Sequence, residues 1–413
     1  MTAPRIAALG FTLVACNLVV PSYGLGGDGG LDAPISGSGR GSSCWGTPGC
    51  ITAIAAGYKH TCAIADQRTL YCWGASAGTD SAAMTPQPIA TGVTSITLSS
   101  DVRSPGTLGV SCFTTISGLY CWGDDDFDQL QQHATTDTPV PIDSTLYAQV
   151  SAGADHVCAT KPDSTAVCWG ADDLFQLGGD SAGTTCGGTT CANSPLLVMS
   201  NTGIPIASGL SHTCVVMGNN SVDCWGRDTN GQLGNGKEGS GSDDELVTAL
   251  AGSNDVTQIA AGSLHTCAIA AMGSWACWGY GGDGALGTGS NADVKTAVLA
   301  DNHQFSAIAA GAQDTCAIDT AGSLDCWGEN QHGILGSAGM GAAITTPAPF
   351  GSLNEVQLVS VGYSHACALL LDGTLECWGD NADGELGDGK QHQQCGTSSA
   401  DCSPTPVVVS APQ

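Results

Sequence analysis

The sequence predicts an all-β chain, a seven-bladed β-propeller of four-stranded blades, on three observations. A phrase of two cysteines set around a hairpin and closed by Cys-Trp-Gly recurs seven times. Its tryptophans, Trp73, Trp122, Trp169, Trp225, Trp278, Trp327 and Trp378, stand about fifty residues apart, the spacing of a solenoid, propeller or array. Short proline-led segments alternate with the hairpins, and the last of them, SPTPVVV, lies at the C-terminus. Glycine is abundant, with 59 of 413 residues, so turns punctuate every few positions, as an all-β chain of short strands requires. Three regions follow: 1–15 as a lipoprotein-type signal peptide, 16–43 as a tether, and 44–413 as the propeller.

The first region, MTAPRIAALGFTLVAC, has one arginine and a short apolar run, the pattern of a secretory signal and too short for a transmembrane helix. Leu13-Val14-Ala15-Cys16 resembles a lipobox, in which small residues admit a peptidase ahead of a lipid-bearing cysteine. The plainer alternative is an ordinary signal peptide, with Cys16 left free or removed. The stretch after Cys16 is rich in Gly and Ser and behaves as a flexible leash spanning roughly 30 Å by the square-root rule.

Within each repeat the two cysteines are ten positions apart in six copies and nine in the seventh. If they face each other across an antiparallel pair, the midpoint falls in a three-residue loop, a form that places its last residue in the left-handed region. That position holds Gly273, Gly322, Gly373 and Asn220, the residue types that tolerate it. Seven pairs follow: Cys62 with Cys72, Cys112 with Cys121, Cys158 with Cys168, Cys214 with Cys224, Cys267 with Cys277, Cys316 with Cys326, and Cys367 with Cys377. Three further pairs are local: Cys44 with Cys50, Cys186 with Cys191, and Cys395 with Cys402. These account for 20 of the 21 cysteines and leave Cys16 over. So many ordered cysteines indicate an oxidising compartment. The Cys62 and Cys158 copies lack the loop glycine.

His60, His156, His212, His265 and His365 each stand two residues before a first cysteine, so a Cys-His metal site is conceivable. Zinc favours closer ligand spacing, and a structural role is the simpler assignment. The same register sets Trp73 opposite Thr61, Trp327 opposite Thr315 and Trp378 opposite Ala366, a large ring over small neighbours. The other face carries Ile64, Ile269 and Leu369.

Ahead of each hairpin runs a strand ending in Ala-Ala-Gly or a variant. Ahead of that, six times, comes a short, often proline-led strand: TPQPI, TPVPI, SPLLV, ELVTAL, KTAVL and TPAPF. The first hairpin lacks one. SPTPVVV would then join the first blade and close the ring, which removes the open sheet edge.

The unit of Ala-Ala-Gly, His-Thr, Gly-x-Leu, Trp-Gly and Gly-Gln-Leu-Gly (231–234, with 284–287, 333–336 and 384–387 alongside) resembles the regulator of chromosome condensation repeat. The resemblance covers about residues 44 to 413 and implies a seven-bladed propeller, to which this chain adds a cysteine pair in each blade. The family's eukaryotic archetype exchanges nucleotide on a small nuclear GTPase and contacts chromatin. Here secretion signals, disulfides and a net charge of −28 from 10 basic and 38 acidic residues argue against both roles, because such a chain repels phosphate backbones. A plant ultraviolet photoreceptor of this fold uses tryptophans in the Gly-x-x-His-Thr segment. Those positions are Tyr58-Lys59, Leu210-Ser211 and Ser263-Leu264 here.

No Gly-x-Ser-x-Gly elbow, His-Glu-x-x-His or P-loop occurs in the sequence. Asp-rich turns such as 228–231 and 380–384 resemble calcium loops but lack the full spacing and the terminal glutamate. The expectation is a non-catalytic binding module without metal or cofactor: a monomer, lipid-anchored through Cys16 in the cell envelope or secreted. It would present loops to a protein or glycan, with membrane contact only through the lipid and no nucleic acid. A secreted enzyme inhibitor, or a lyase or hydrolase acting through face carboxylates, is the alternative. The candidate partner-binding loops are insertions at one point of the repeat, 179–193, 236–245 and 388–403, carrying Asp180, Thr189, Lys237, Asp243, Asp244, Lys390, His392 and Asp401. They are expected to cluster on one face.

Overall fold

A computed structural model describes residues 44–412, apart from breaks at 80–81, 104–106, 133, 180–183, 187, 238–241, 251–254, 301–302, 337–340, 352 and 396–400. It also describes Val14–Ala15 and Leu18–Val19, which pair in a two-residue ladder against the inner strands of the ring. Cys16 and the rest of the signal and tether lie outside the described residues.

Seven antiparallel sheets follow one another along the chain, each built in the order a, b, c, d from the centre outward. Blade 1 comprises Ala53–Ala56, His60–Ala65, Thr69–Gly74 and Ala83–Ala90. Blade 7 comprises Val356–Val361, His365–Leu370, Leu375–Asp380 and Asp401–Val408. The a strands contact one another around the axis and are buried. In blade 5 the d position is held by two bridges only, Trp275 with Ala300 and Gly279 with Val294. Because strands alternate in direction, a–b turns and c–d loops share one side of the ring, called here the turn face. The b–c hairpins and d–a connections occupy the hairpin face.

The b–c hairpins have the expected register. Thr61 opposes Trp73, Thr315 opposes Trp327 and Ala366 opposes Trp378. Each cysteine pair of a blade is bonded, with Cα atoms 4.0 to 4.1 Å apart, close as in a non-hydrogen-bonded pair. The last loop residue is left-handed in Asn220, Gly273, Gly322 and Gly373 and also where glycine is missing, at Arg68 and Ser164. Blade 2, with cysteines nine apart, turns on Ile116 and Ser117 alone. The local bridges Cys44–Cys50, Cys186–Cys191 and Cys395–Cys402 complete ten.

The closure expected from the sequence is corrected. SPTPVVV pairs with Leu375–Asp380 in its own seventh blade, not with the first. Likewise TPQPI pairs with Thr69–Gly74, which precedes it. The proline-led strand is therefore the outermost strand of the hairpin before it, where proline's missing N–H faces no neighbour. With the repeat framed as a-b-c-d, no strand is missing from blade 1, and no strand is exchanged to close the ring.

Closure comes from the seams between blades, and the seventh-to-first seam is built like the others. Each Cys-Trp-Gly indole is fully buried, and its Nε1–H donates across the seam to a backbone carbonyl in the c–d loop of the preceding blade, at 2.6 to 2.9 Å. In four seams the threonine opposite the tryptophan position donates to the same carbonyl, as Thr61 does to Glu385, Thr213 to Gln176, Thr266 to Gln232 and Thr315 to Ala285. A buried histidine of the preceding blade reaches the hydroxyl oxygen through Nε2 at 2.7 to 3.0 Å: His156 to Thr213, His212 to Thr266, His265 to Thr315 and His365 to Thr61. His60 meets Ser111 in the same way. Where the threonine spends its proton on the carbonyl, the imidazole must donate from Nε2. Burial depresses these imidazoles, His60 and His265 to about 4 and His156, His212 and His365 to about 3. The recurrent histidine is thus a neutral seam residue.

Candidate docking face

The turn face carries the longest connections. In blade 2 the a–b turn is replaced by a longer connection, the strap, of which residues 99–103 and 107–109 are described, between Val93–Leu98 and Ser111–Thr115. Asp101 Oδ2 accepts from Ser263 Oγ of blade 5 at 2.6 Å. Arg103 forks onto Asp173 of blade 3 with two bonds of 2.8 Å, pairs with Asp155, and lies 4.9 Å from the Phe127 ring centre. Blades 2 and 5 lie across the ring from one another, so Asp101 carries the strap across the turn face to the opposite side. A bidentate guanidinium on carboxylate fixes direction as well as distance. Burial pushes the Asp155 carboxyl up to about 6 although Arg103 pulls it down. Sequence reasoning passed over this strap, because blade 2 has lost the His-Thr signature that frames the turn elsewhere.

The three insertions expected to form a partner surface are c–d loops of blades 3, 4 and 7 and lie on the turn face. They do not form one cluster: blades 3 and 4 are adjacent, and blade 7 lies across the ring. Asp180 lies outside the described residues. Thr189 is half-buried and opens the strand Thr189–Ser200, paired with Cys186. Lys237 is exposed, its N–H donating to Asn235 Oδ1 at 2.9 Å. Asp243 and Asp244 lie in Ser242–Leu250, with Asp243 in register with Gly226. In blade 7, Asp401 accepts from the His392 N–H at 2.6 Å and from Asn381 Nδ2 at 3.0 Å. The His392 ring meets buried Asp388 at 3.2 Å, and the exposed Lys390 ammonium stands 3.8 Å from it. The described residues of this loop are therefore held by their own side chains as well as by Cys395–Cys402.

The Asp-rich turns have a structural use. Asp228 Oδ1 accepts the Leu233 N–H at 3.1 Å, and Asn381 Oδ1 that of Leu386 at 3.1 Å. Asp125 takes the N–H groups of Leu130, Gln132 and Ala134. Each such acceptor folds the loop that offers a carbonyl to the next tryptophan. Among the described residues, Cys44, Cys50 and Asp66 are the one grouping close enough to ligate a metal, and there the thiolates are spent in a disulfide.

Carboxylates dominate the rest of the face. Glu385 is 2% exposed, and burial, with the nearby Asp380 charge, lifts its carboxyl to about 8. It occupies the position that Gln129, Gln176 and Gln232 hold in other blades and, like them, accepts an N–H two residues earlier. Lys59 pairs with Asp383 at 3.3 Å. On the hairpin face, a groove of about 530 Å³ opens beside the shortened blade-2 hairpin, lined by Ile89, Phe113, Ile116, Tyr120 and Pro139 among others.

Comparison with known proteins matches this architecture. The regulator of chromosome condensation (RCC1) repeat is found at residues 51–77, 206–232, 305–334 and 356–385, and a second description of the same repeat at 220–269. The chain is 30% identical over 287 residues to the ultraviolet-B receptor UVR8 of Arabidopsis thaliana, covering 66% of this chain and 63% of that protein. It is 35% identical over 147 residues to the probable E3 ubiquitin-protein ligase HERC4 of Homo sapiens, covering 35% of this chain and 13% of that protein. The chain thus spans less than two thirds of the length of these relatives. Among solved structures, human WBSCR16 superposes with a TM-score of 0.67 at 18% identity, over 80% of this chain and 85% of that one. Prp20p of Saccharomyces cerevisiae, described with binding to Gsp1p and histones, superposes with a TM-score of 0.66 at 18% identity, over 83% and 85%.

Proposed function

We propose that this chain, a regulator of chromosome condensation repeat protein, is a non-catalytic binding module that docks a protein partner on its turn face. The observation that carries the reading is the construction of that face. Loops of blades 3 and 7 are pinned by their own disulfides, Cys186–Cys191 and Cys395–Cys402, and the strap is pinned by Arg103 and Asp101. Ordering a loop beforehand reduces the entropy lost on binding. A glycan would meet the same loops.

The disulfides support placement outside a reducing cytosol, because ten of them account for every cysteine from Cys44 onward. We place the domain in the cell envelope, held by lipid on Cys16, with cleavage before Cys16 removing Val14–Ala15. A chain carrying Cys16→Ser should leave the membrane fraction or fail to mature; unchanged fractionation with membranes removes the anchor from the reading. Residues 42–413 immobilised on beads should capture a partner from the envelope or medium of the source cells. Trimming 179–193, 236–245 and 388–403 should abolish capture while the melting transition persists. Capture unaffected by trimming would move the docking surface to the hairpin face or the rim.

A further inference from the structure

The seams show a pairing rule within this one chain. Five have a histidine on one blade and a hydroxyl on the next: His60 with Ser111, His156 with Thr213, His212 with Thr266, His265 with Thr315 and His365 with Thr61. The other two lack both members together. Between blades 2 and 3 the positions hold Val110 and Val157, an apolar replacement. Between blades 6 and 7 they hold Asp314 and Ala366. An aspartate has replaced the ring, and no hydroxyl faces it.

Asp314 is 2% exposed, and its Oδ1 has no hydrogen-bond partner. Where Gly153, Gly209, Gly262 and Gly362 lie against a histidine ring, Gly311 instead meets Val361. Val361 stands where Ala56, Ala261 and Ala310 stand in other blades, so one wall beside the carboxyl is apolar. The charges acting on Asp314 are Glu329 and Asp283, and burial together with these like charges raises its carboxyl well above the usual range. Glu329 is half-buried, its backbone N–H favours the charged form of Asp314, and exposed Asp283, on the c–d loop of blade 5, adds negative charge from outside the seam. Tyr363 is 40% exposed and packed edge-to-face with Tyr58 at 5.0 Å. Its hydroxyl is raised by burial and by the charges of Asp101, Glu329 and Asp314, and the exposed part of its ring lies at the rim. A buried carboxylate oxygen without a partner costs free energy that a cation with N–H donors would recover.

We propose that the seam between blades 6 and 7 is a receptor for an arginine side chain of the partner, whose guanidinium would pair with Asp314 and Glu329 and lie against Tyr363. A guanidinium suits the place better than an ammonium: it is planar, weakly hydrated, stacks on aromatic rings and donates in a fork. The inference deepens the reading of the turn face as a docking surface and rests on it.

The test rebuilds the seam on the pattern of the others. Titration calorimetry near 0.15 M salt compares a nonapeptide of alternating arginine and glycine with its citrulline counterpart. The unaltered chain from residue 42 should prefer the arginine peptide by about tenfold or more, the scale of a charge-assisted pair. The triple variant D314H/V361A/A366T should lose that preference while melting no lower than the parent. Should it fail to fold, D314N alone should lose the preference. D372N, which removes one exposed hairpin charge, should keep it. Equal binding by the rebuilt seam, equal loss in D372N, or occupancy by calcium ions with no arginine preference would each overturn the proposal. Retention of the preference in the loop-trimmed chain separates this seam from the docking loops, so either can fail alone.

Discussion

The carbonyl of Gln232 accepts from both Trp278 and Thr266, so the loop carrying it passes the indole edge at contact distance. Gly234 sits there with φ +70°, and a Cβ would come within 2.7 Å of Trp278 Nε1. Gly234→Ala should therefore lower stability by about 2–4 kcal/mol, from left-handed strain and overpacking together, checked by urea denaturation. Glu385 makes the opposite kind of prediction. Its native carboxyl holds a proton up to about pH 8, whereas an unfolded one releases it near the ordinary glutamate value of 4.5. The folded state binds more protons across that interval, so this residue's contribution falls as pH rises from about 4.5 to 8. Glu385→Gln, the residue type used by blades 2, 3 and 4, should be nearly neutral at pH 5. At pH 8.5 it should raise stability by on the order of a few kcal/mol, read as a melting shift that grows with pH.

At the scale of elements, the strap is the least repetitive part of the ring and the most easily tested. Arg103→Ala removes the fork on Asp173, the pair with Asp155 and the contact with Phe127 together. Amide exchange from residues 99–103 and 107–109 should rise at least tenfold in that variant, with the blades unchanged; exchange no faster than in the parent would mean that Asp101 and Ser263 alone hold the strap. The hairpins were legible in the sequence because cysteine spacing and turn residues define the same register. The outer strand was assigned to the wrong neighbour for a physical reason. In blade 1 it ends at Ala90, just before the next inner strand opens at Val93, whereas a longer loop from Gly74 to Ala83 ties it to its own hairpin, so nearness along the chain pointed to the wrong partner. The strap was missed because it replaces the very signature that marks the other turns. Asp314 stood in plain view as DTC among copies of HTC, but its meaning depends on Ala366, about fifty residues on in the next blade.

For the whole molecule, five buried imidazoles set the acid limit. Each must gain a proton on unfolding near its ordinary pH of about 6.5, whereas the native pKa values are about 3 or about 4. Between those values the unfolded chain binds more protons, so stability rises with pH and is lost as pH falls below about 6.5. Glu385 and Asp155, with pKa values raised to about 8 and about 6, act in the opposite direction. The histidines outnumber these carboxyls and Asp314, which burial also raises, below about pH 6.5, and only the raised carboxyls act above it. A melting series should therefore peak at about pH 6 to 7, fall steeply toward pH 4 and decline gently toward pH 8.5. A profile flat between pH 4 and 6.5 would mean that the seam histidines are charged in the native state.

The ring also closes without exchanging a strand, and that has a consequence for its ancestry and its engineering. Each blade is one uninterrupted stretch of chain, and Thr47 already packs against Gly373 in the hairpin of blade 7, near the chain's last strand. A circular permutant opened between blades 4 and 5, with the old ends joined by a short glycine linker, keeps every sheet and every seam intact. By the same geometry, a gene that grew by tandem duplication could gain or shed a whole blade at any junction without first inventing a clasp.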